Sequence, residues 1–178
     1  WIYDRNEIYH EERKFFSIIG IHSFIGNREV MSWDQPMMQP CQEGVIGFII
    51  KPINGVLHFL VQAKLEVGNI DIFELAPTVQ TLTGNFKEDK KVPFLDNIIK
   101  SEPSKILSKT MQSEEGGRFY REQNLNIIIL EKEDFKPDLP VNFRWIPLSQ
   151  ILLFLKFNNY FNMSARSLIS QLNLEKND

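Results

Sequence analysis

Two apolar, β-rich runs joined by Asn54-Gly55 constrain the fold more than any other feature of the chain. The first run covers residues 44–51 and the second covers residues 56–66. A tight type I′ turn needs positive φ angles at its two central residues, which Asn and Gly adopt readily. The sequence therefore predicts a β-hairpin here, and with it a domain built on antiparallel pairing.

Further segments fit an α+β domain with many strands early and helices late. The predicted strands are 15–21, 28–33 (broken by Asp34-Gln35-Pro36), 70–75, 118–123, 125–131 after a turn at Asn124, and 143–148. Predicted helical pieces are 93–99, 104–107, 150–156 capped by Ser149, and 165–172 capped by Ser164.

Composition limits the class of protein. A chain of 178 residues with 43% hydrophobic and 24% charged residues is typical of one soluble domain, which we place at residues 1–178. A net charge of −3 without long basic runs argues against nucleic-acid binding, and apolar runs are too short for a membrane span. A cytoplasmic location is the default expectation. The sequence contains no dinucleotide fingerprint, P-loop or zinc motif.

Polar side chains interrupt the second strand of the hairpin. Alternation places His58, Leu60, Gln62, Lys64 and Glu66 on one face, with Phe59 among those on the other, core-facing side. This face carries an imidazole, an amide, an ammonium and a carboxylate. Such a set is typical either of a lined pocket or of an ordinary solvent-exposed face. The residues alone leave both interpretations open.

Two later segments carry similar ambiguity. Ser113 to Arg118 joins two carboxylates to two glycines and an Arg, which suits close approach to a diphosphate or an ordinary acidic turn. Glu74 and Gln80 flank Ala76-Pro77-Thr78, where a strand meets a loop. Trp33 either stacks on a base or packs in the core, and polar residues near Asn162 either reach a phosphate or simply begin a helix.

Several of these segments resemble the NDP-hexose 2,3-dehydratase family. The matching pieces are Phe15–Ile18 with Gly20, Trp33 with Gln35-Pro36, Gly44–Phe48, Gly55–Lys64 with Glu66 and Gly68, Glu74–Gln80, Gln112–Tyr120, and Asn162 with Arg166–Leu168. Long, non-repetitive matches in this order are specific. The resemblance covers most of the chain.

The resemblance implies a Nudix-like fold, with a mixed, largely antiparallel sheet flanked by helices. The glutamate-rich Nudix box that binds a divalent metal is missing, which disfavours metal-dependent diphosphate hydrolysis, and we expect no metal site. Members of the family usually carry two such modules. This chain is therefore one half of a tandem protein, a single-module relative, or a module that pairs with another copy, and we expect either a homodimer or pairing with a second homologous module.

The resemblance also implies a reaction: removal of water across carbons 2 and 3 of a dTDP-linked 4-keto-6-deoxyhexose. The substrate arrives oxidised, so no cofactor is expected. A non-catalytic sugar-nucleotide-binding or dimerisation module is the alternative, and another sugar-nucleotide modifier, such as a 3,4-ketoisomerase, is a third possibility.

Site roles follow from position in the matched motifs. Glu115 or Glu114 is the expected base, Lys64 or Tyr120 polarises the ketone or protonates the leaving hydroxyl, and His58 is the reserve acid/base. The substrate-binding residues expected from the resemblance are Arg118 and Arg166 for the diphosphate, Trp33 for stacking, and Gln35, Gln62, Glu66, Glu74, Thr78, Gln80, Gln112, Ser113, Asn162 and Ser167.

Overall fold

The computed structural model describes residues 1–82, 92–114, 117–157 and 159–172. Its strands are β1 (Ile2–Asp4), β2 (Glu7–Tyr9), β3 (Phe16–Phe24), β4 (Ser32–Pro40), β5 (Gly44–Ile53), β6 (Val56–Lys64), β7 (Glu74–Ala76), β8 (Val79–Leu82), β9 (Ile106–Ser113), β10 (Gln123–Leu130) and β11 (Phe143–Pro147). Its helices are α1 (Leu95–Ile99), α2 (Leu148–Phe154) and α3 (Met163–Ile169), with a 3₁₀ turn at Pro103–Lys105. Within these ranges no helix is long and apolar enough to cross a bilayer.

The predicted hairpin forms the centre of a seven-stranded sheet. β5 pairs antiparallel with β6, and Asn54 and Gly55 have φ angles of 50° and 76°. The sheet runs β11-β6-β5-β10-β9, with β7 paired to β6 and β8 paired to β5. Only the β5–β10 pair is parallel among the pairings described. The predicted α+β class, with a mixed and largely antiparallel sheet, is confirmed.

Helices cover both faces of this sheet. On one face Phe48 and Phe59 belong to a core that includes Ile151 of α2 and Leu168 of α3. On the other face Leu60 packs in a core that includes Ile98 of α1. Strands buried on both faces are apolar throughout instead of alternating. The predicted alternation of β6 between a core face and a polar face is therefore wrong in the middle of the strand, because Leu60 is as buried as Phe59.

The first four strands form a separate antiparallel sheet in the order β1-β2-β3-β4. The predicted strand break at Pro36 is wrong, because β4 continues through it and pairs Pro36 with Gly20. Pro lacks an N–H and is tolerated on edge strands, which have one side without a ladder partner. β4 has that edge position.

Local propensity also misplaced several elements. Residues 70–73 are outside β7, and residues 118–122 form a loop with one bridge, from Phe119 to Met38. The helical prediction for residues 104–107 holds only for Ser104 and Lys105, which lie in the 3₁₀ turn, and is wrong from Ile106, where β9 begins and pairs with β10. β9 is an edge strand whose polar residues give no clear period, so its pairing overrides the local signal.

Candidate active site

A cavity of about 740 Å³ lies at the end of the central sheet where β6 and β9 finish and β5 and β10 begin. Pockets of roughly 300–1,000 Å³ are typical of small-molecule sites. Eight residues named from the sequence line it: Lys64, Glu66, Glu74, Gln80, Glu114, Arg118, Asn162 and Arg166. They come from four separate stretches of the chain, which only the sheet topology brings together.

The end of β6 forms one wall of the cavity. Lys64 Nζ lies 2.7 Å from Glu66 Oε1, and Gln80 Nε2 donates to the same oxygen at 3.2 Å. Glu74 pairs with Lys64 across the β6–β7 ladder. The predicted polar face of β6 is therefore absent in the middle of the strand but present at its end, where helices no longer cover the sheet.

The start of α3 forms the next part of the wall. Asn162 is the N-cap: its Oδ1 accepts from the Ala165 amide at 2.9 Å, and its Nδ2 donates to Gln80 Oε1 at 2.7 Å. The predicted cap at Ser164 is wrong, because Asn162 occupies the extended position before the helix and Ser164 lies inside it. Arg166 follows within the helix and is exposed to the cavity.

Three residues from the junction of β9 and β10 line the opposite wall, and two of them were not foreseen. Glu114 follows β9 directly, Glu122 precedes β10, and the buried Asn124 lies in β10. Asn124 Nδ2 donates to Glu114 Oε1 at 3.1 Å and also bonds the Glu122 side chain. The predicted turn at Asn124 is wrong, because β10 begins at Gln123, which pairs with Ser113 of β9. That prediction hid the strand register that brings Glu122 and Asn124 next to Glu114.

The pKa of Glu122 is raised above its ordinary value. Burial is the largest cause, because it disfavours the charged carboxylate. The hydrogen bond from Asn124 acts against this shift, the charge of Glu114 adds to it, and Arg118 opposes it. A carboxyl with a raised pKa inside a polar cavity is a candidate acid/base group.

The loop that carries Arg118 is held by the N-terminal sheet. Met38 N donates to the Arg118 carbonyl at 2.6 Å. Gln35 Nε2 donates to the Gly117 carbonyl, and Trp33 Nε1 donates to Gln35 Oε1 at 2.6 Å. Trp33 and Gln35, expected to touch the ligand, instead form a bonded chain to this loop and are outside the cavity lining of the described residues.

Other expected site residues lie elsewhere. His58 bonds its own strand through Val56 O at 2.8 Å, six residues before Lys64, which is roughly 20 Å along a strand. Gln62 donates to the Pro77 carbonyl at 2.9 Å, and Thr78 Oγ1 accepts from Ile49 N at 2.9 Å. Gln112, Ser113, Tyr120 and Ser167 are not in the cavity lining, and Glu115 lies outside the described residues.

One donor in the cavity lacks a partner in the described part of the chain. Asn69, in the turn after β6, lines the cavity, and its Nδ2 is buried without a hydrogen bond there. A buried donor left unpaired costs about 1–3 kcal/mol, so a ligand acceptor is a natural partner. Among the described residues no cluster of three His, Cys, Asp or Glu side chains could hold a metal ion.

Cationic and carboxylate side chains line this cavity together, which suits an anionic ligand with hydroxyl groups. The chain belongs to the NDP-hexose 2,3-dehydratase family, whose model matches residues 1–172. It is 40% identical to a dTDP-4-dehydro-6-deoxy-alpha-D-glucopyranose 2,3-dehydratase of Saccharopolyspora spinosa over 97% of its length, and 39% identical to one of Streptomyces violaceoruber over 94%. The chain spans only 36% and 38% of those two proteins.

Solved structures show a likeness of fold. A crystal structure of an ADP compounds hydrolase matches 93% of this chain and 89% of its own, with 14% identity and a TM-score of 0.50. A NUDIX domain of Shewanella oneidensis NrtR, complexed with ADP ribose, matches 73% of this chain at a TM-score of 0.42. At 14% identity the first likeness extends to fold alone, and the predicted Nudix-like architecture is confirmed at that level.

Proposed function

We propose that this chain is one module of a 2,3-dehydratase acting on a dTDP-linked 4-keto-6-deoxyhexose. The observation that carries the proposal is the cavity itself, in which cationic, carboxylate and amide side chains from four family motifs meet. The names of the relatives support this substrate class. The volume of about 740 Å³ is adequate for much of a nucleotide sugar.

Three cationic side chains are proposed to bind different parts of the substrate. Arg118 and Arg166, both exposed at the cavity, are the proposed anchors of the diphosphate, because a guanidinium binds phosphate oxygens in pairs. Lys64, held by Glu66, is the proposed donor to the ketone oxygen. Asn69 Nδ2 is available for a sugar hydroxyl or the nucleotide.

The chemistry is a β-elimination assisted by the ketone. The 4-ketone acidifies the proton on carbon 3, and Glu114 or Glu115 removes it to give an enolate stabilised at Lys64. The hydroxyl on carbon 2 then takes a proton from an acid group of the site and leaves as water. The resulting enol tautomerises to a 3,4-diketo-2,6-dideoxy sugar.

The alternative is a module that binds the nucleotide sugar without converting it. The observation in its favour is coverage, since the relatives are more than twice as long as the matched region. Under either reading we propose a cytoplasmic protein that pairs with a second homologous module or with another copy of itself. No nucleic-acid or membrane partner is included in the proposal.

The test is an assay of the purified chain with dTDP-4-keto-6-deoxyglucose, followed by mass spectrometry with and without a chelator. We expect loss of the mass of water, in both conditions, together with thermal stabilisation by dTDP. Stabilisation without turnover would favour the binding module. Absence of both would contradict the proposed site.

A further inference from the structure

Glu114 and Glu122 are neighbours across the extension of the β9–β10 ladder. The amide of Glu114 donates to the carbonyl of Glu122 at 3.0 Å, one step beyond the pair formed by Ser113 and Gln123. Directly opposed residues in an antiparallel pair present their side chains on one face, roughly 5 Å apart at Cβ. Both side chains line the cavity.

Asn124 fixes how these two carboxyls are satisfied. Its Oδ1 accepts from Gly44 N at 2.8 Å, so its Nδ2 group is turned toward the carboxyls. The residue is 5% exposed, and a Cβ at Gly44 would collide with its side chain. A single buried amide therefore serves two acidic groups, an arrangement in which a proton on one carboxyl relieves their repulsion.

We infer that Glu122 is the general acid that protonates the departing hydroxyl of carbon 2, while Glu114 is the ionised base. This inference rests on the proposed function and deepens it. Glu114 takes the proton from carbon 3, and that bond's electron pair passes into the enolate whose oxygen is held at Lys64. When the enolate collapses back to the ketone, the pair forms the double bond between carbons 2 and 3 as the bond from carbon 2 to oxygen breaks. The proton of Glu122 completes the water. The two carboxyls end with exchanged charge, and one proton transfer restores them.

The surroundings favour this division of roles. Burial and the charge of Glu114 both raise the pKa of Glu122, which keeps its proton available at a higher pH. The charged group opposing them is Arg118, on the loop between the two carboxyls. The other charged residues that line the cavity in the described part of the chain are Lys64, Glu66, Glu74 and Arg166.

The test compares two substrates in Glu114→Gln and Glu122→Gln variants of the full chain. With the 4-keto sugar, we expect each variant to lose about 10²–10⁴-fold in kcat. The 2-deoxy-2-fluoro analogue expels fluoride without needing a proton, so Glu122→Gln should convert it at close to the wild-type rate. Glu114→Gln should remain inactive with both substrates. Asp138→Asn, an exposed substitution in the loop after β10, is the control.

A second readout does not depend on turnover. In a carboxyl-labelled chain followed by NMR, Glu122 should titrate above an ordinary Glu, and Glu114→Gln should lower its pKa. A Glu122 that titrates normally, or a Glu122→Gln variant equally inactive toward the fluoro analogue, would overturn the inference. If the wild-type chain converts neither substrate, the proposed function and the acid role of Glu122 are both contradicted. The NMR titration still shows whether the two carboxyls are coupled, because it does not depend on turnover.

Discussion

The two ends of the central sheet carry similar charged residues but use them differently. At the hairpin end, buried Lys51 donates to the Phe135 carbonyl at 2.6 Å, and Lys105 pairs with buried Glu131 at 2.8 Å. At the cavity end, Lys64, Glu114 and Glu122 face open space. The buried charges of Lys51 and Glu131 at the first end are enclosed by protein partners, whereas the charges that line the cavity remain available to a ligand.

Burial explains the difference. A buried ion is tolerated only when protein groups replace its water, so the partners at the hairpin end are structural. The cavity end keeps its charges partly hydrated, and a ligand can exchange with that water. Residue type therefore does not distinguish a stabilising lysine from a functional one, whereas the partners around its ammonium do.

The same substitution at each end gives the largest expected contrast. Lys64→Met should lower kcat by about 10²–10³-fold, because the donor to the developing oxyanion is lost. It should change stability by no more than about 1 kcal/mol, since the pair with Glu66 is partly exposed. Activity and chemical denaturation are the measurements.

Lys51→Met is the matched control for this prediction. It leaves the Phe135 carbonyl without its ammonium donor, so we expect a loss of about 1–3 kcal/mol in unfolding free energy. Its kcat should match the wild type at a temperature where the variant is folded. Lost stability in Lys64→Met together with lost activity in Lys51→Met would contradict the assignment of a functional role to the cavity end and a structural role to the hairpin end.

Arginines on one loop provide a sharper comparison. Arg118→Ala should weaken dTDP binding by roughly tenfold to a hundredfold, as expected for a lost charge-assisted hydrogen bond. Arg121→Ala should leave affinity unchanged, because both arginines lie over a neighbouring aromatic ring but Arg121 is not among the described residues that line the cavity. Calorimetric titration at two salt concentrations checks both, and equal losses would argue for a diffuse charge effect.

Helix caps test how the cavity wall is built. Asn162→Ala removes the N-cap of α3 and the bond to Gln80, so we expect about 1 kcal/mol of destabilisation and a raised KM. Ser149→Ala should have little effect, because Ser149 lies inside α2 after the N-cap Pro147. Thermal unfolding of both variants is sufficient, and an unchanged Asn162→Ala midpoint would contradict the cap.

The smallest expected effect is the contribution of Glu122 to the pH dependence of the unfolding free energy. The folded chain raises the pKa of Glu122, so the stability that the neutral carboxyl contributes is present at acid pH and is lost as pH rises through that pKa. The difference in unfolding free energy between Glu122→Gln and wild type should therefore grow over this range in favour of the variant. A difference independent of pH would mean that Glu122 titrates alike in both states.

The sequence was informative where one local rule governed the outcome. The Asn54-Gly55 hairpin and the core of β10 follow from turn chemistry and apolar runs, and both are confirmed. β9 could not be foreseen, because an edge strand with polar residues is defined by its partner. The strand through Pro36 depends likewise on its place at a sheet edge.

The site was foreseen only in part for the same reason. Motif residues such as Lys64 and Arg166 line one cavity, and their roles there stay predictions. Glu122 and Asn124 were missed, because their contact with Glu114 depends on a strand register that the predicted turn displaced. His58 was included because alternation gives a face but does not say which end of a strand is open.

The most direct test of the contrast between the two ends is amide NMR of the labelled chain during titration with dTDP. We expect shifts at Lys64, Gln80, Glu122 and Asn124, with Asn54 and Gly55 unchanged at the opposite end. Shifts concentrated at the hairpin end, or none anywhere at saturating nucleotide, would contradict the assignment of ligand binding to the cavity end.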